Sequence, residues 1–153
     1  MLKIVNGDLL EFVKATHIAH QCNCKPGVMG GLAGAVRAKY PMADTGNFTT
    51  LAPGTISVCD GGNGVNVVNL YGQVSPGRPK MTGIDTAEKR LGYFKRGLFA
   101  ITQLPDIHSL ALPYMVGCGM AGGIWEIYEA ALIDFADYAD SKNIEVYLVR
   151  KGN

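Results

Sequence analysis

No stretch of this chain stays apolar over the roughly 18 to 20 residues that a membrane-spanning helix needs. The opening MLKIVNGD places acidic Asp8 where a signal peptide requires an unbroken apolar core. The expectation is a cytoplasmic protein with no membrane partner. An excess of charge of either sign is also missing: 14 Lys and Arg against 13 Asp and Glu leave a formal net charge of +1. Bulk electrostatics therefore give no reason to bind nucleic acid, and no stripe of alternating aromatic and basic residues supplies one. Repeats, linkers and low-complexity tracts are absent. So are G-x₄-G-K-[ST], which excludes a P-loop, and a G-x-G-x-x-G opening the first strand–helix turn, which excludes the dinucleotide fingerprint.

Cysteine is sparse and badly spaced for a metal. Cys22 and Cys24 are separated by one residue, Cys59 and Cys118 stand alone, and His17, His20 and His108 lack ligand spacing. Small thiols of a reducing compartment are the better reading, with no metal. A nucleophilic cysteine would want a nearby base, and His20 is the nearest histidine.

What is present is a chain of 153 residues, 48% hydrophobic and 18% charged, long enough for one domain over 1–153 with a sizeable core. Strand patterns at Leu2–Val5, Thr16–Cys22, Gly54–Val58, Val65–Leu70, Ser109–Met115 and Glu145–Val149 alternate with helical patterns at Met29–Lys39, Ile84–Ile101 and Trp125–Tyr138. The segment DGGNG joins the third and fourth strands as a hairpin. The rest of the order suits parallel pairing, so the expected fold is a three-layer α/β/α domain with a mixed central sheet.

Two glycine-rich segments carry the chemistry. HQCNCKPGVMGGLAGAVRAKYP (His20 to Pro41) runs from a strand through a glycine turn into a helix, and VGCGMAGG (Val116 to Gly123) does the same before Trp125. Glycines let backbone N–H groups approach a ligand, and a helix N-terminus adds unpaired donors and a positive dipole end. Two such loops suggest a clamp for a diphosphate. Asp8, both loops and the segment after Leu70 all follow strands, so they can converge at the carboxyl edge of the sheet. Each also has a plainer reading. Asp8 after Asn6-Gly7 can cap a turn, and the glycines of VGCGMAGG can serve close packing. Trp125 reads as a core anchor. Arg37 and Lys39, and the group Lys89, Arg90, Lys95 and Arg96, read as solvated charge. Asp85 reads as an N-cap or first-turn acid, and His20 as a core histidine.

VNGDLLE, HQCNCKPGVMGGLAGAVRAKYP, NLYGQ and LPYMVGCGMAGGIW occur in an order that resembles the macrodomain, the ADP-ribose-binding fold, over essentially the whole chain. Within that family it resembles the ADP-ribose-1″-phosphate phosphatase-like branch of microbes and phages. The resemblance implies that Asp8 accepts from the adenine amino group, with the backbone of Leu9 nearby. Asn23 would lie by the distal ribose. Gly30, Gly31 and Leu32 would cover that ribose and one phosphate. Gly117, Cys118, Gly119, Met120, Ala121 and Gly122 would form the second phosphate loop. Gln73 and Tyr71 would line the other wall, with Tyr147 or Tyr114 covering the adenine. It implies no cofactor, a small-molecule partner (ADP-ribose or a derivative), and a chain that can serve as a monomer.

A related branch that removes ADP-ribose from glutamate or DNA bases uses a lysine soon after the strand ending at Leu70, and can carry an acid in the GCG loop. Here those positions hold Gly72 or Gln73, and Ala121. The activity implied is hydrolysis of ADP-ribose-1″-phosphate, with Asn23 and His20 as the candidate catalytic residues. Two alternatives stay open: a non-catalytic reader of ADP-ribose or related nucleotide signals, and a glycohydrolase without the usual lysine.

Overall fold

The computed structural model describes residues 1–49 and 51–152. Its strands are β1 (Leu2–Asn6), β2 (His17–Cys22), β3 (Ile56–Asp60), β4 (Asn66–Tyr71), β5 (Ser109–Pro113) and β6 (Glu145–Arg150). Its helices are α1 (Gly31–Lys39), α2 (Ala87–Thr102) and α3 (Trp125–Ser141), with short 3₁₀ turns at Leu9–Glu11, Pro41–Ala43 and Thr45–Asn47. The strands form one sheet in the order β1-β6-β5-β2-β4-β3. Every neighbouring pair is parallel except β3 and β4, the expected hairpin. In its turn Gly61 N–H donates to the Val65 carbonyl at 2.8 Å, and Gly62 N–H to Asp60 Oδ1 at 2.8 Å.

Central strands buried on both faces read as continuous apolar runs, whose side chains alternate between two cores. Ala19, Val68, Leu70, Leu110, Leu112, Val146 and Leu148 meet Phe94, Leu98 and Ile101 of α2, and Leu132, Phe135 and Ala136 of α3. Their strand neighbours Ile18, Val67, Ala111 and Val149 point the other way, to Val36 of α1 and to Tyr40 and Ala43. The result is the expected three-layer α/β/α arrangement on a mixed sheet.

Several element ends differ from the sequence reading for local reasons. α2 starts at Ala87 because Thr86 is its N-cap, accepting from Lys89 N–H at 3.2 Å, while Asp85 turns inward. β5 stops at Pro113 because Met115 takes φ 67°, which ends the strand and lifts the chain over the sheet edge. β3 begins at Ile56 because Gly54 has φ 83° and belongs to the preceding turn. Because β2, β4 and β5 run parallel, the chain leaving each of them emerges at one edge.

Candidate functional site

A cavity of about 500 Å³ opens at that edge. The chain after β2 walls it with Asn23, Val28, Met29 and Gly30, the chain after β4 contributes Gln73, Pro76 and Gly77, and the chain after β5 contributes Tyr114 to Gly117 and Gly119 to Ala121. The first turn of α1 (Gly31, Leu32, Ala33) closes the remaining side.

The two glycine-rich walls carry backbone N–H groups without protein partners among the described residues. Gly30 is the N-cap of α1 and has no side chain to cap it, so the first-turn amides have no capping partner. Across the cavity, Cys118 N–H donates to Met115 O at 2.9 Å, Gly122 N–H to Gly119 O at 3.0 Å, and Gly123 N–H to Gly117 O at 3.0 Å. Among the described residues the amides of Gly117, Gly119, Met120 and Ala121 have no protein acceptor. Gly117 is required by shape as well as by its φ of 76°: a Cβ there would sit 2.8 Å from Tyr128 Cε2. The walls meet at the mouth, where a Cβ on Gly31 (φ 54°) would lie 3.1 Å from the Met120 sulfur.

The remaining wall is built of amides. Gln21 Nε2 donates to Gln73 Oε1 at 2.7 Å, and Gln73 Nε2 donates to Ser75 O at 2.9 Å. Gln21 Oε1 is buried and unpartnered among the described residues. Asn23 turns both ends of its side chain on its own loop: Oδ1 accepts from Lys25 N–H at 2.8 Å, and Nδ2 donates to Val28 O at 2.9 Å. It lines the cavity while holding the turn that shapes it.

Among the described residues no carboxylate, lysine or arginine lines the cavity. His20 lies at its base, only 1% exposed, on the face of β2 that looks toward α1. Its Nε2 is 2.6 Å from Asn69 Oδ1, and Asn69 Nδ2 donates to Ala43 O at 2.8 Å. Burial lowers the His20 pKa to about 4, with the Asn69 hydrogen bond opposing weakly, so the ring is neutral at ordinary pH. This is the core-histidine geometry. Burial also raises the nearby thiols, Cys24 and Cys118 each to about 11, which keeps them protonated and poorly nucleophilic. No group of three or more His, Cys, Asp or Glu side chains is placed to hold a metal among the described residues.

The structure therefore brings Asn23, Gly30, Gly31, Leu32, Gln73, Gly117, Gly119, Met120 and Ala121 around one cavity, with His20 beneath it. Four expected site residues lie outside the lining. Leu9 is buried in the core on the α1 side of the sheet. Asp8 caps the first 3₁₀ turn, Oδ1 accepting from Leu10 N–H at 3.0 Å, the plainer of its two sequence readings. Cys118 packs against the α2–α3 core, and Gly122 backs onto Arg78. Among the aromatics, Tyr114 is at the cavity, its ring 4.9 Å from that of Trp125. Tyr71 is turned away, its hydroxyl 2.8 Å from Ser57 Oγ, and Tyr147 pairs with Phe12.

The largest correction concerns Arg90 and Asp85, which are buried at 2% and 3% exposure rather than solvated or capping. The Arg90 guanidinium donates to both Asp85 oxygens, Nε to Oδ1 at 2.8 Å and Nη2 to Oδ2 at 2.7 Å. Asp85 also accepts from Val74 and Ser75 N–H at 2.8 and 2.9 Å. Burial alone would raise the Asp85 pKa. The Arg90 and backbone hydrogen bonds outweigh it and hold the carboxyl below its usual range. A signal for this was present in the sequence: Arg90 precedes Phe94 by four residues, on the same helical stripe that carries Leu98 and Ile101.

No family model and no curated protein matches the sequence. Solved structures do match the fold. The macrodomain of Mycobacterium tuberculosis DarG is 22% identical, with a TM-score of 0.72, over 100% of this chain and 99% of that one. A protein from Bacteroides thetaiotaomicron is 21% identical with a TM-score of 0.78, over 98% and 99% of the two chains. A Trypanosoma brucei macrodomain in complex with ADP is 14% identical with a TM-score of 0.72, over 99% of this chain and 64% of that one. Likeness at these identities speaks for the fold, and the chain has the fold of the macrodomains.

Proposed function

We propose that this protein binds ADP-ribose or a close derivative, its diphosphate held by backbone amides. One observation carries the reading: two sets of unpaired N–H groups, at the start of α1 and at Gly117, Gly119, Met120 and Ala121, belong to residues lining one cavity, which among the described residues has no charged side chain in its lining. Oriented amides bind an anion without a neutralising cation. The carboxamides of Asn23 and Gln73 keep a second lone pair and a second N–H beyond their loop contacts, which suit sugar hydroxyls, and Tyr114 lines the cavity at the β5 side. The ADP held by the Trypanosoma brucei macrodomain supports the same ligand class. Asp8 follows β1, which runs parallel to β6 and β5, so it stands on the same sheet edge beyond the cavity, where an adenine amino group could reach it.

Binding without turnover is the form of this proposal. Release of phosphate from ADP-ribose-1″-phosphate would have Asn23 and the loop amides to orient the group. His20 is neutral and committed to Asn69, and among the described residues no carboxylate or lysine lines the cavity to serve as another general base or acid. Calorimetric titration with ADP-ribose tests the reading, followed by a phosphate-release assay on ADP-ribose-1″-phosphate. Saturable binding at one site per chain with no phosphate released is the expected result. Phosphate release that disappears in Asn23→Ala would move the protein to the hydrolases. Absence of binding at millimolar ADP-ribose would end the ADP-ribose assignment.

A further inference from the structure

The loop between β4 and α2 and the glycine-rich loop after β5 form adjoining parts of the cavity wall, and one buried side chain reaches both. Arg90 Nη1 donates to Gly77 O at 2.6 Å and to Ala121 O at 3.2 Å. Gly77 and Ala121 both line the cavity. Nη2 adds Ser75 O at 3.0 Å and Arg78 O at 3.3 Å. With both Asp85 oxygens engaged by Nε and Nη2, the planar fork is committed on every nitrogen. A simple structural pair would need only the Asp85 contact. The four carbonyls go further, tying the walls to a single rigid group.

We propose that Arg90 is a positioning residue that sets the spacing between the two walls, with Asp85 holding its guanidinium in register. The amides of Ala121 and its neighbours are then presented at a fixed distance from Pro76 and Gly77 before any ligand arrives. Such pre-organisation lowers the cost of ordering loops on binding. Lysine cannot replace this group, since an ammonium on a flexible stem lacks the planar fork that reaches Asp85 and both walls together.

The choice of ADP-ribose as probe rests on the function proposed above, so the test has one readout that needs no ligand. Arg90→Lys is compared with the wild-type protein and with Phe135→Leu, a core substitution remote from the cavity, all well below their melting temperatures. Amide hydrogen exchange in the free proteins should show faster exchange across Ser75–Arg78 and Gly117–Gly122 together in Arg90→Lys, and in neither segment in Phe135→Leu. ADP-ribose affinity should fall on the order of tenfold in Arg90→Lys, since loops no longer held in place must be ordered on binding. Unchanged exchange in either loop would overturn the proposal, whether or not ADP-ribose binds. Altered exchange with no wild-type binding would instead count against the ADP-ribose reading alone. If Arg90→Lys fails to fold, the pair Asp85→Asn with Arg90→Met removes the ion pair without stranding a charge, and is expected to give the same exchange pattern.

Discussion

Gly72→Ala probes the amide wall at its tightest point. A Cβ on Gly72 would lie 2.4 Å from Gln21 Oε1, 2.7 Å from Cδ and 3.0 Å from Cγ. The added methyl therefore displaces the Gln21 carboxamide and breaks its 2.7 Å bond to Gln73. Overpacking of this kind costs about 1–3 kcal/mol, and the lost hydrogen bond about 1 kcal/mol of it. For a chain of this size each kcal/mol lowers Tm by about 2–4 °C. Gly72 does not sit in the left-handed region, so the side-chain clash alone opposes the substitution. In a Gln21→Ala background the crowding atoms are gone, and the same substitution should be neutral or stabilising by up to about 1 kcal/mol. Thermal or urea unfolding of the four proteins closes a double-mutant cycle, with an expected coupling of about 1–4 kcal/mol. Equal effects of Gly72→Ala in both backgrounds would refute the reasoning.

Two glycines of α2 should respond with opposite sign. Gly97→Ala drives a methyl to 2.5 Å from Leu70 Cγ and should cost about 1–3 kcal/mol, whereas Gly92→Ala meets nothing within 4 Å and should gain about 0.5–1 kcal/mol. Denaturant midpoints of the two variants shifting in the same direction would contradict that packing. His20 supplies a pH dependence. Its folded pKa of about 4 lies below the 6.5 of an ordinary histidine, so the unfolded chain takes up the proton first. The stability it contributes is complete above pH 6.5 and declines by about 1.4 kcal/mol per pH unit toward pH 4, on the order of 3 kcal/mol in all. Subtracting the His20→Gln stability profile from the wild-type profile should isolate that slope; a flat difference would show that His20 is not buried as described.

Much of this architecture was legible in the chain. Alternating strand and helix patterns give the three layers, DGGNG gives the hairpin, and strand–glycine–helix junctions locate both amide loops, because these features depend on local backbone chemistry and on side-chain period. The α2 stripe was legible too, but Arg90 within it reads as surface charge until a partner is known. That partner, Asp85, and the carbonyl of Gly77 come from the β4–α2 connection, and the carbonyl of Ala121 from the β5–α3 connection.

Sequence by itself determined which segments can present bare N–H groups, since that follows from glycine and from uncapped helix starts. Only the tertiary structure decided which of those groups share a cavity. Parallel pairing of β2 with β4 and β5 brings their exits to one edge, while Asp8 and Leu9 leave β1 farther along the sheet. It also decided that His20 turns to Asn69 and that Gln73 pairs with Gln21, because a strand's two faces acquire different neighbours only when helices have packed against them.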